Sequence, residues 1–116
     1  MKEYVLLFRM DITTESAQPD EAQMNSYMMS WMKWINDISA KDKLSNGGNH
    51  FSKAGKLLGP RNTIIDGPYT ANKQSVAGYI IILAKDMDDA ISMAAKCPIL
   101  EGEGTSVKIR ETATPG

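Results

Sequence analysis

Asp66 and His50 are the two side chains of this sequence best suited to moving protons. A carboxylate at a pocket mouth serves as general acid or base once burial shifts its hold on a proton. Histidine exchanges a proton near neutral pH, and His50 is the single one in the chain. A catalytic His50–Asp66 pair is the sharpest chemical expectation. Each residue also has a plainer role. Asp66 opens the segment Asp66-Gly67-Pro68-Tyr69, where an aspartate carboxylate commonly bonds backbone N–H groups of the turn ahead. His50 closes Asn46-Gly47-Gly48-Asn49-His50, which reads as an exposed polar loop.

The ligand-binding set read from residue types is Arg9, Trp31, Tyr69 and Lys73, with Arg110 as a further cation near a strand end. Cations would hold an anionic group and the aromatic rings a flat one. Taken singly, such cations are more often surface charges. Trp31, Trp34 and the methionines near them recur at helical spacing and are first of all core. Cys97 is the only cysteine, which rules out an internal disulfide and a cysteine-based zinc site, and its neighbours do not favour a thiolate. No metal or cofactor is expected, since no G-x-G-x-x-G follows a strand and no GK[ST] occurs. Gly78-Tyr79 in a central strand lacks the preceding basic residue and following aromatic of an RNA-recognition strand, for Ala77 and Ile81 stand there.

These residues must be positioned by a small set of elements. Tyr4 to Met10 reads as a strand apolar on both faces. Pro19, Asp20 and Glu21 start a helix whose stripe is Met24, Tyr27, Met28, Trp31, Trp34, Ile35 and Ile38, flanked by Met29 and Met32 and closed by Gly47-Gly48. Lys56–Leu58 and Thr63–Ile65 flank the turn Gly59-Pro60-Arg61-Asn62 as a hairpin. Val76 to Leu83 is a strand apolar at odd and even positions alike. Asp86, with Asp89 in a box-like role, caps a second helix with Met87, Ala90, Ile91, Ala94 and Ala95 inward and Pro98 at its end. Ser106 to Glu111 alternates as a last strand.

Strand, helix, hairpin, strand, helix, strand is the split βαβ order of an α+β, ferredoxin-like fold with an antiparallel sheet and both helices on one face. The other sheet face is apolar too, and a second copy packed sheet to sheet as a homodimer would cover it. The 116 residues fit one domain, 1–112, with a loose tail at 113–116. A composition 42% hydrophobic and 23% charged folds without staples. A net charge of −1 argues against a nucleic-acid or polybasic membrane-surface binder. The apolar run at the start is too short for a signal peptide, and a single cysteine suits a reducing compartment, so a cytoplasmic location is expected.

Leu57-Leu58-Gly59-Pro60, Asp66-Gly67-Pro68-Tyr69, Lys73, Gly78-Tyr79, Ala90, Cys97-Pro98 and Val107-Lys108-Ile109-Arg110 together resemble the YCII-related family, in particular its DGPF-domain branch. The resemblance implies a ferredoxin-like protein pairing into a dimeric α/β barrel. It also implies a small-molecule site, since a relative in the wider superfamily eliminates chloride from a chlorinated hydroxyaromatic with a His–Asp pair. Two acids usual in the branch are replaced here by Ala71 and Gln74, and Tyr69 stands for a phenylalanine. Two functional classes follow. One is a lyase or isomerase acting on a small acidic or aromatic compound; the other is a non-catalytic dimeric module binding a ligand or partner protein.

Overall fold

The computed structural model describes residues 1–11, 20–52, 54–67, 75–102 and 104–113, with backbone alone at 65–67. Strand β1, Lys2–Met10, buries Tyr4, Leu6 and Phe8 on one face, while Val5 and Leu7 are half-buried on the other. Helix α1, Glu21–Ala40, begins at a reciprocal cap. The Asp20 carboxylate accepts the Gln23 N–H at 2.7 Å, and the Gln23 side-chain oxygen accepts the Asp20 N–H at 3.0 Å. It stops through a Schellman-type turn with Asp42 at φ 57°, where the Lys43 N–H bonds the Ile38 carbonyl and the Asp42 N–H that of Ser39.

The helix therefore ends well before Gly47-Gly48, and the expected polar loop at 46–50 is instead strand β2, Leu44–His50. This strand is irregular, with register shifts between Leu44 and Asn46 and between Asn46 and Asn49. Its glycines lower its strand propensity, so nothing local marks it; pairing with its neighbour makes it a strand. The hairpin expectation holds: β3, Gly55–Leu58, pairs with β4, Ile64–Gly67, around a 3₁₀ turn at Pro60–Asn62.

Strand β5, Ser75–Ala84, buries Ile80, Ile82 and Ala84 on the helix side and leaves Tyr79, Ile81 and Leu83 half-buried on the other. Helix α2, Met87–Ala94, is capped by Asp86, whose carboxylate accepts the Asp89 N–H at 2.8 Å. The Asp89 carboxylate reaches past the cap to the Lys85 N–H at 3.0 Å, one residue further than a capping box requires. A 3₁₀ turn at Pro98–Glu101 leads to β6, Ser106–Glu111.

The main sheet runs β2-β5-β1-β6 with every neighbouring pair antiparallel, and one core joins its inner face to both helices. This is the α+β, ferredoxin-like arrangement, with the β3–β4 hairpin inserted before β5. Two expected core faces are narrower than their stripes. Met24, Met28, Met29 and Met32 of α1 are exposed, because Trp31, Trp34 and Ile38 already fill the seam against the sheet. On α2, Ala90 and Ala94 are buried while Met87, Ile91 and Ala95 face outward. Close helix–sheet packing over alanines leaves no depth for longer side chains on that line.

Candidate active site

His50 is placed by the peculiarities of β2. Asn46 folds its side-chain oxygen onto the Gly48 N–H at 2.8 Å, and Gly48 adopts φ +63°, so the strand bulges and then rejoins β5. His50 then lies opposite Gly78, on the helix side of the sheet. Because Gly78 has no side chain, β2 approaches closely there: a Cβ at Gly78 would sit 2.6 Å from the Asn49 carbonyl oxygen. The imidazole is exposed and its ring centre stands 5.5 Å from that of Trp31, tilted by 55°.

Below it is an aromatic cluster. Trp31 meets Phe8 edge-on at 4.6 Å, Trp34 at 5.3 Å and Tyr27 at 5.9 Å. Trp34 is anchored by its indole N–H, which donates to the Met93 carbonyl at 3.1 Å. Offset and edge-on ring pairs hold one another in register, so the floor under His50 is rigid. Tyr27 is half-buried, and burial pushes its phenol well above the ordinary range, which keeps it a neutral hydrogen-bonding group. Phe8, Trp31 and Trp34 are themselves buried, so the arrangement is a packed aromatic core with Tyr27 half-buried and one exposed imidazole at its rim.

Of the residues singled out from sequence, the structure brings His50 and Trp31 together. Arg9 is not with them. Strand alternation puts it on the sheet face opposite Phe8, where it pairs in register with Ser106, near Lys108 and Arg110 of β6. The backbone of Asp66 belongs to β4 opposite Lys56, and its side chain lies outside the described residues. Tyr69 and Lys73 also lie outside them. Cys97 is buried and its thiol is pushed up to about 12 by that burial, so it is no nucleophile. Phe8 belongs to the core, as its strand alternation implies, and Tyr27 is the half-buried ring nearest Trp31; the i, i+4 spacing of Tyr27 and Trp31 is the signal that pairs them.

A groove of about 670 Å³ lies elsewhere, between α1 and α2, bordered by Lys33, Asp37, Lys41, Asp89, Met93 and Lys96. Neither His50 nor Arg9 borders it, and its lining mixes lysines with acids. Among the described residues no group of three His, Cys, Asp or Glu side chains could hold a metal ion, and no helix is long and apolar enough to cross a membrane.

No curated protein matches the chain. The model of one protein family does, over residues 5–113, a span that runs from within β1 to past the end of β6. With nearly its whole length matched, the chain belongs to the family of YCII-related domains.

Proposed function

We propose that this chain is a homodimeric small-molecule enzyme of the DGPF branch, a lyase or isomerase acting on a small aromatic or acidic compound. His50 is its proton-transfer group, and half-buried Tyr27, backed by the buried Trp31, is proposed as the ring-facing side of the site. The observation that carries this reading is the exposed imidazole 5.5 Å from Trp31 at the rim of a rigid aromatic cluster. A ring held beside Tyr27 and His50 would have its substituents near a base, the arrangement that proton abstraction or elimination requires. Asp66, Tyr69 and Lys73, the other residues singled out from the sequence, are proposed as further members of the site, with Asp66 as the partner in the His50–Asp66 pair.

Dimerisation is supported by the sheet. Val5, Leu7, Tyr79, Ile81 and Leu83 form a continuous apolar band on the face away from the helices.

The test is a thermal-shift screen of small aromatic acids on wild type and on His50→Gln. His50 is exposed, so the variant should unfold at the wild-type temperature without ligand. A compound that stabilises wild type and not the variant supports the site; equal shifts in both overturn it. The absence of acids at positions 71 and 74, held by Ala71 and Gln74, favours a second reading in which the same site binds without turnover. A bound compound recovered chemically unchanged after long incubation would select that reading.

A further inference from the structure

The bulge in β2 holds the one Asn-Gly step of the sequence, Asn46-Gly47. Asn46 and Gly47 are both exposed, and the register to β5 passes from Asn46 to Asn49, leaving Gly47 and Gly48 outside the paired positions. The Asn46 side-chain oxygen accepts the Gly48 N–H at 2.8 Å, so the side chain folds forward over the Gly47 peptide. This bond has two effects. It holds the amide carbon beside the Gly47 nitrogen, and its N–H faces the oxygen on which negative charge develops when that carbon is attacked. Gly47 adds no obstacle, for it has no side chain and a Cβ built there meets nothing within 4 Å.

We propose that Asn46 is a self-modification site, at which the Gly47 nitrogen attacks the Asn46 side-chain carbonyl carbon and closes a succinimide. The new N–C bond replaces the bond to the side-chain nitrogen; the Gly47 N–H proton passes through water to that nitrogen, which leaves as ammonia. One water molecule then opens the ring. Opening at the side-chain carbonyl gives aspartate, and opening at the main-chain carbonyl gives isoaspartate, whose backbone runs through the former side chain. Water is the only co-reactant. The other described asparagines are less well set. Asn25 and Asn36 lie within α1, where the N–H groups that follow them serve the helix. Asn62 precedes the branched Thr63, whose N–H bonds the Pro60 carbonyl at 3.3 Å. Asn49 and His50 both pair in register with β5. Isoaspartate lengthens the main chain inside the bulge, and so shifts Asn49 and His50 against Tyr79 and Gly78. The modification acts on the strand that seats His50 beside Trp31.

Ageing the purified chain in mildly alkaline buffer, followed by tryptic mapping, tests this. The mass gain of an amide turned into an acid should appear first in the peptide 44–53, and fragmentation should place it at Asn46 as both aspartate and isoaspartate. Gly47→Ala has room for its methyl and keeps the fold, yet should slow the reaction by about tenfold or more, because the methyl hinders the attacking nitrogen. The isolated peptide 44–53 should react no faster than the folded chain, since only the fold holds the amide forward. Chain enriched in isoaspartate should melt below Asn46→Asp, which carries the same charge without the longer backbone. Mass gain at Asn49 or Asn62 before Asn46, or a Gly47→Ala rate equal to wild type, would overturn the site. So would a folded chain reacting about tenfold slower than the peptide, for the strand would then protect Asn46. Equal melting of the isoaspartate chain and Asn46→Asp would overturn the effect on β2.

Discussion

Three glycines at or facing β2 give a graded test of how His50 is placed. A Cβ at Gly48 would stand 1.6 Å from the Tyr79 carbonyl oxygen and 2.6 Å from its carbon, both backbone atoms of the central strand. Ordinary contact at such a pair is about 3.4 Å, so β2 would have to retreat by nearly about 2 Å, breaking its ladder to β5. The left-handed φ of +63° adds strain for any residue with a Cβ. Together these place Gly48→Ala at about 4 kcal/mol of lost stability. At Gly78 the added Cβ meets the Asn49 oxygen at 2.6 Å in ordinary extended backbone, a displacement of under about 1 Å, for about 2 kcal/mol. At Gly47 nothing lies within 4 Å, and Gly47→Ala should change stability by less than about 0.5 kcal/mol. For a chain of this length the three correspond to melting-temperature losses of about 16, 8 and under 2 °C. Calorimetry on the three variants, with urea titration to check for constant m, reads the order directly. If Gly47→Ala and Gly48→Ala cost the same, residues 44–50 are not a bulged strand against β5, and the placement of His50 fails with them.

Other perturbations follow from single contacts. The Lys85 N–H bond holds the Asp89 carboxyl below its usual range. Its contribution is therefore present above the ordinary carboxylate pKa and is lost as pH falls through the lower folded value, so Asp89→Asn should flatten the fall of melting temperature in acid; an unchanged acid limb refutes this. Cys97, with its thiol pushed up to about 12, should react with a thiol reagent at neutral pH only as fast as the chain opens, and a rate unaffected by urea would contradict its burial. Asp42 holds φ 57° at the end of α1, so Asp42→Gly should raise stability by about 0.5–1 kcal/mol, or about 2–4 °C in a melting curve.

Much of the architecture was legible in the residues because its causes are local. The alternation of Tyr4, Leu6 and Phe8, the start of the first helix around Asp20 and Glu21, the turn around Pro60 and the two-sided apolar run at Ile80–Leu83 all act within a few residues. Their order along the chain was enough to imply the sheet topology, and the family match over 5–113 agrees with it. What could not be read was whatever depends on a partner distant in sequence. Leu44–His50 carries the composition of a loop and is a strand because Gly78, 28 positions beyond His50, leaves room for it. Met24 and Met28 belong to an apolar stripe by spacing, yet two indoles fill the seam first and leave them outside.

The site divides the same way. Residue type alone pointed to His50 and Trp31, but only the fold sets their rings 5.5 Å apart and sends Arg9 to the far face of the sheet. The physical reason is that a strand's two faces alternate by single residues, whereas the distance between elements is set by what packs between them. Composition and period determine which faces are apolar. Tertiary packing decides which of those faces meet, and therefore which chemically able side chains share a site.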